Sequence, residues 1–176
     1  MTKSSLALLA SLALLASTLG AQTVLKPSAT DPVIDGTIGQ GEYPVFGPSG
    51  GITIGSSLSA DGKILSLAIQ AQTSGWVAIG LGSNYMDGAY MVMGYEAGGK
   101  SAISEQLGKG HSHSPVKGTK LIASAVHEDR GMTVLEFQVK LADFAKGGKL
   151  PIIMAYGKSA DFVSRHLRFS STTLTF

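Results

Sequence analysis

Residues 51–71 read GITIGSSLSADGKILSLAIQA, and this stretch decides the fold class. Two runs of alternating apolar and small polar residues flank an Asp-Gly pair at 61–62, which favours the tight turn of a β-hairpin. In the second run Leu65, Leu67 and Ile69 recur at every second position, so they share one face of a strand. The stretch therefore predicts an antiparallel hairpin, residues 51–58 and 63–71, with that face turned inward.

The next two apolar stretches continue the β pattern. Residues 75–82 (GWVAIGLG) and 88–96 (GAYMVMGYE) are apolar at consecutive positions, as expected for central strands that are covered on both faces. Residues 119–127 and 131–140 predict a second hairpin. Its latter strand is half-buried, because apolar and polar side chains alternate there: Leu135, Phe137 and Val139 with Glu136, Gln138 and Lys140.

The remainder of the chain contains little that favours a helix. Residues 141–146 (LADFAK) suggest one short helical turn, residues 150–157 predict a strand, and two strands are expected near 163–176. Short strands separated by glycine-rich turns are typical of β-sandwiches. The sequence therefore predicts an all-β protein, an immunoglobulin-like antiparallel β-sandwich of about ten strands.

The first 21 residues have the features of a signal peptide. Lys3 precedes an apolar run at 6–19, which is shorter than a bilayer-spanning helix requires, and small residues follow it. We expect cleavage near Gln22 and a single mature domain over residues 22–176, secreted or periplasmic and without a membrane span. The alternative is that the run remains as an uncleaved anchor.

Composition excludes several functions. The 176 residues contain no cysteine, so disulfides, thiolate metal sites and covalent c-type haem attachment are impossible. Without Lys3, thirteen basic and twelve acidic residues remain, and this balance provides no strongly basic face for nucleic acid. The motifs of nucleophile elbows, phosphate-binding loops and His-Glu-x-x-His metal helices are also missing from the sequence. We therefore expect no catalytic residues.

One ordered set of short motifs resembles a known family. The strand GWVAIGLG is followed by Met86-Asp87-Gly88-Ala89, and the chain also contains Ile34-Asp35-Gly36, Gly110-His111-Ser112-His113-Ser114-Pro115 and Met154-Ala155-Tyr156-Gly157 in that order. The set is similar to the DOMON-domain family, and to its haem-b-binding branch, which includes the cytochrome domain of cellobiose dehydrogenase. The resemblance covers about 35–176.

The resemblance implies a cofactor and its ligands. In haem-binding members a methionine after the GW strand and a histidine before the last strand ligate the iron, and these map onto Met86 and His166. One non-covalent haem b per chain would be held in an apolar crevice between two loops at one end of the sandwich. A thioether and an imidazole complete six-coordinate haem iron, and the methionine raises its potential. Residues that could line the crevice are Trp76, Tyr85, Met91, Met93, Met154 and Tyr156.

Two classes of function follow from this resemblance. The first is a b-type cytochrome that transfers single electrons to or from an unknown redox partner and is not itself an enzyme, although it could be the haem subunit of an oxidoreductase complex. The alternative is a carbohydrate- or small-ligand-binding module without haem, in which Trp76 or Tyr85 would be a stacking platform.

A histidine pair lies outside the set of proposed haem residues. His111 and His113 are two positions apart, so on an extended segment both rings would lie on one face and could bind zinc or copper. No third ligand is evident in the sequence, and we expect a solvated loop instead.

Overall fold

The structure is a computed structural model in which residues 24–49 and 51–176 are described. The predicted signal peptide, residues 1–21, lies outside the described residues. Within those residues the structure contains no helix that is long and apolar enough to cross a membrane.

Two antiparallel sheets form a sandwich, which confirms the predicted fold class. Sheet I has the strand order β1-β2-β3-β9-β8, and sheet II has the order β11-β10-β4-β5-β6-β7. The strands of the described residues are β1 (Val45–Ser49), β2 (Ile52–Leu58), β3 (Ile64–Gln72), β4 (Val77–Leu81), β5 (Tyr90–Ala97), β6 (Lys100–Lys109), β7 (Ser112–Pro115), β8 (Leu121–Asp129), β9 (Met132–Lys140), β10 (Lys149–Gly157) and β11 (His166–Thr175).

The decisive hairpin forms as its sequence predicts. Strands β2 and β3 pair from Thr53–Gln70 to Leu58–Leu65. Gly62 has φ of 72°, a value that favours glycine, and the Ser59 hydroxyl accepts a 2.9 Å hydrogen bond from the Ile64 amide. The turn is therefore fixed by side-chain hydrogen bonding as well as by the glycine.

The core lies between the two sheets. It is built from the inward residues of both, all of them essentially inaccessible to solvent: Leu65, Leu67, Ile69, Leu135, Phe137, Val77, Ile79, Val92, Ile152 and Met154. At one end of the sandwich the Thr133 hydroxyl on β9 donates to the carbonyl of Thr73 at 2.7 Å, in the segment that crosses from β3 to β4. This bond ties the crossover to sheet I.

The structure differs from the sequence predictions in four places. Strands β1 and β6 were not predicted, and the expected pair of strands near 163–176 is the single long strand β11. The expected loop at 110–115 contains the short strand β7, paired with β6. The predicted helical turn at 141–146 is confirmed as a 3-10 turn over Leu141–Asp143.

Candidate functional site

A second apolar cluster lies on the outer face of sheet II, which is the face turned away from the core. The pleat turns Ala78, Met91 and Met93 outward while their neighbours point into the core. The cluster comprises the buried residues Trp76, Ala78, Ala89, Met91 and Met93 and the partly buried Met86, Tyr95, Ile153, Ala155 and Phe162. We call this surface the outer cluster. Strand β4 is therefore covered on both faces, as its sequence predicts.

Glycine at position 80 lets this cluster close over β4. A Cβ there would lie 2.7 Å from Ile153 Cγ2 and 3.1 Å from Met91 Cγ, closer than side chains normally approach. Met91 from β5 and Ile153 from β10 therefore meet above the central strand. The result is a continuous apolar surface across three strands.

The Gly75-Trp76 motif forms one end of the outer cluster. The Trp76 side chain is 4% exposed, and its indole Nε1–H donates to Ser164 Oγ at 3.0 Å. A Cβ on Gly157 would lie 2.3 Å from that nitrogen, and a Cβ on Gly75 would lie 2.3 Å from the Gly157 carbonyl oxygen. Both glycines are therefore required for the indole and the 158–165 loop to pack together.

Met86 lies at the other end of β4, in the loop that leads into β5. Its carbonyl accepts a 3.1 Å hydrogen bond from the Ala89 amide. A Cβ on Gly108 would lie 1.8 Å from the Met86 carbonyl oxygen, so the loop fits against β6 only because that residue is glycine. Asp87 Oδ1 accepts a 2.7 Å hydrogen bond from the Gly110 amide. The backbone of this loop is thus anchored to β6.

His166 is the first residue of β11 and is partly buried. It pairs with Gly157 across a β-bulge, and its ring centroid lies 5.2 Å from that of Phe169. The Gly157 amide donates to the Trp76 carbonyl, so His166 lies at the end of sheet II where β4 begins, with β10 between the two strands. Met86 follows the other end of β4, so the two proposed ligands lie at opposite ends of sheet II, and the expectation that both lie at one end of the sandwich is wrong.

The other proposed crevice residues divide between two surfaces. Met91 and Met93 lie in the outer cluster with Trp76. Met154 is completely buried in the core between the sheets, and Tyr156 packs against that core. These two residues therefore do not line the same surface as the others, because the pleat turns them to the opposite face of β10. Tyr85 is 77% exposed in the Met86 loop.

The histidine pair is divided between a turn and a strand. His111 lies in the turn before β7, while His113 lies on β7 with Nδ1 3.3 Å from Gln106 Oε1. Among the residues that the structure describes, no group of three or more histidine and acidic side chains is arranged to hold a metal ion.

The outer face of sheet I contains a buried carboxylate that the alternating pattern of β9 did not indicate. Glu136 is fully buried because the N-terminal segment crosses over it. Its carboxylate accepts hydrogen bonds from the Gly36 amide at 2.8 Å, the Asp35 amide at 3.3 Å and the Tyr43 hydroxyl at 2.7 Å. Burial raises the pKa of Glu136, while these donors oppose the shift. The Ile34-Asp35-Gly36 motif therefore has a structural role.

Comparison with protein families gives a match to the DOMON domain over residues 49–156. The matched segment includes Met86, whereas His166 follows it. Because the match spans more than half of the chain, this chain belongs to the DOMON domain family. Comparison with curated protein sequences gives no match.

Among solved structures, two of the most similar are cytochrome domains. The cytochrome b domain of pyranose dehydrogenase from Coprinopsis cinerea has a TM-score of 0.56 at 15% identity, over 70% of this chain and 76% of that one. The cytochrome domain of Myriococcum thermophilum cellobiose dehydrogenase has a TM-score of 0.55 at 14% identity, over 73% and 77%. A carbohydrate-binding module of family 9 from Caldicellulosiruptor kristjanssonii has a TM-score of 0.48 at 12% identity, over 85% of this chain and 83% of that one. At these identities the likeness concerns the fold.

Proposed function

We propose that this protein is an exported electron-transfer protein that binds one haem b at the outer cluster, with Met86 and His166 as the axial ligands. The observation that carries the proposal is an apolar surface lying between a thioether and an imidazole. Tyr85, Val163 and Phe169 border this surface and are 77%, 88% and 63% exposed. Large exposed apolar side chains around a buried cluster are typical of a binding surface.

The donor set fits haem iron. A thioether sulfur and an imidazole nitrogen are donors that haem iron accepts, and the Met86 and His166 side chains would both have to reach over the outer cluster to bind one iron atom. Both residues are partly buried, so they are neither locked in the core nor fully solvated. The absence of cysteine requires non-covalent binding.

The protein's own contribution would be ligation, orientation and exclusion of water. The haem supplies one-electron redox chemistry, and a methionine ligand favours the ferrous state and raises the potential. Trp76 keeps its indole N–H bonded to Ser164, so no unpaired polar group interrupts the apolar surface at that end. Arg165 and Arg168, both exposed next to His166, could pair with the haem propionates.

The test is the visible spectrum of the purified protein supplied with haem. We expect a six-coordinate low-spin spectrum with sharp α and β bands on reduction, and complete extraction of the haem by acid-acetone. Met86→Ala and His166→Ala should each open a coordination position and give a high-spin haem. Met93→Leu and His127→Ala are the matched controls and should leave the spectrum unchanged. Equal behaviour of the two histidine variants would refute the assignment, and a protein that binds no haem would refute the function.

The geometry argues against one form of the alternative function. A module that stacked a sugar on Trp76 would need an exposed ring, but that side chain is buried and its N–H is already bonded. Export of the mature chain from about Gln22 is part of the proposal and rests on the sequence features of residues 1–21.

A further inference from the structure

A half-open cleft lies on the outer face of sheet I, on the side of the sandwich opposite the outer cluster. Its volume is about 580 Å³, within the range of about 300–1,000 Å³ that is usual for small-molecule sites. The cleft lies between the glycine-rich segment 36–41 and strands β3, β8 and β9. It is lined mainly by Ile38, Tyr43, Phe46, Gln70, His127, Asp129, Met132 and Val134.

The strand register arranges the floor of this cleft. Val134 on β9 pairs with Gln70 on β3 and with His127 on β8, so the three residues form one row across the sheet. Neighbouring strands lie about 4.8 Å apart, which separates Gln70 from His127 by about 10 Å. Val134 therefore has a polar side chain on each side, Gln70 and His127, at a spacing that one small ring could bridge.

The polar groups of the cleft offer both donors and acceptors. The Gln70 amide contributes two N–H donors and a carbonyl acceptor. His127 Nδ1 is 3.0 Å from Glu96 Oε2, which leaves Nε2 for a ligand. Asp129 uses Oδ2 to accept from Arg130 at 2.9 Å, which leaves Oδ1. Such a mixture matches hydroxyl groups, which both donate and accept.

An aromatic ring borders the same cleft. Phe46 on β1 is 48% exposed and pairs with Gly55. The Tyr43 ring packs directly on Gly55, where a Cβ would lie 2.7 Å from Tyr43 Cγ. An exposed ring beside hydrogen-bonding groups offers an apolar surface to the face of a flat or puckered ring. The cleft thus combines an apolar platform with polar groups at its edge.

Segment 36–41 forms the wall of the cleft and is held in place before any ligand binds. Glu42 accepts hydrogen bonds from the Gly39 amide at 2.6 Å and the Val33 amide at 2.8 Å. The buried Glu136 holds the Gly36 amide. A wall that is already ordered lowers the entropic cost of binding. Carboxylates in and behind the wall also disfavour an anionic ligand.

We propose that this cleft is a second binding site, for a small uncharged ligand in which hydroxyl groups surround a ring; a monosaccharide unit is the simplest chemical type. The site does not depend on haem, because it lies on the other sheet and shares none of the outer-cluster residues. One chain would then bind a redox cofactor on one face and a neutral polar ligand on the other.

The test is a titration of the ¹⁵N-labelled mature protein, with and without haem, with methyl β-D-glucopyranoside and with myo-inositol. We expect saturable amide shifts for at least one probe at residues 36–41, Gln70 and 127–134 in both preparations. Glucose 6-phosphate should bind more weakly than methyl β-D-glucopyranoside. Shifts at the outer cluster alone, no shifts for either neutral probe, or tighter binding of the phosphate would overturn the proposal.

Variants locate the site. Gln70→Ala and Phe46→Ala should each weaken binding about tenfold, the loss expected from one or two hydrogen bonds or one ring contact. Phe169→Ala is the matched control, because this exposed ring lies on the opposite sheet, and it should leave the affinity unchanged. An effect of Phe169→Ala as large as that of Phe46→Ala would contradict the site. Well-dispersed spectra of each variant establish that it is folded.

Discussion

Tyr43→Phe isolates one hydrogen bond to the buried carboxylate of Glu136. The substitution removes the hydroxyl that donates at 2.7 Å but keeps the ring packed on Gly55. A hydrogen bond to a charged group contributes about 1.5–3 kcal/mol, so we expect the free energy of unfolding to fall by about 2 kcal/mol. For a domain of this size that loss lowers Tm by about 4–8 °C. Chemical and thermal unfolding measure both quantities.

The effect of Tyr43→Phe should depend on pH in a defined direction. Burial raises the pKa of Glu136, so the folded protein holds this proton more tightly than the unfolded chain. The contribution of Glu136 to stability is therefore fully present below the ordinary glutamate pKa and is lost as pH rises through the raised pKa of the folded state. The Tyr43 hydroxyl favours the ionised form. Its removal should cost more above that window, where the carboxylate is charged, than below it.

A control variant and a double-mutant cycle test whether the hydrogen bond between Tyr43 and Glu136 causes the loss of stability. Tyr85→Phe, at a side chain that is 77% exposed, is the matched control and should change stability by less than about 0.5 kcal/mol. A double-mutant cycle with Glu136→Gln should give a coupling energy of about 1 kcal/mol or more. A coupling energy near zero, or the same loss on both sides of the pH window, would show that the hydrogen bond does not contribute as argued.

Two further predictions concern the glycine contacts and the leader. Gly157→Ala should lower the free energy of unfolding by about 3 kcal/mol, because its Cβ would lie 2.3 Å from Trp76 Nε1. Gly47→Ala is the control and should have little effect, because a Cβ there would have nothing within 4 Å. Urea unfolding compares the two variants, and equal stability would contradict the packing of Gly157 against Trp76. Mass spectrometry of exported protein should show an N-terminus within two residues of Gln22, and an intact Met1 would contradict the predicted cleavage.

The hairpins were predictable because their pattern is local. Alternation in residues 63–71 and 131–140 fixes which side chains face inward, and the structure buries those side chains completely. Strand β6 (KSAISEQLGK) was missed because most of its residues are exposed or only partly buried, so no clear alternation appears in the sequence. In β10 both faces are apolar, so the sequence could not indicate that Met154 faces the core and Ile153 the outer cluster.

The candidate site was predictable in part. Met86, Trp76, Met91 and Met93 lie together because one strand, its following loop and its neighbour are consecutive in the chain. The burial of Glu136 was not predictable, because its donors come from residues about a hundred positions earlier. The cleft next to it was missed for the same reason. Its only local signal was the glycine-rich segment 36–41, which is common to many surface turns.

The contact between the Met86 carbonyl and Gly108 involves only main-chain atoms of the Met86 loop. The loop is held by its main chain against β6, so the identity of residue 86 can vary without moving the backbone that displays it. The backbone conformation at position 86 therefore does not depend on which side chain is present there. Exchange of the side chain there would change what packs on the outer cluster and what that surface binds, while the main chain of the loop keeps its path.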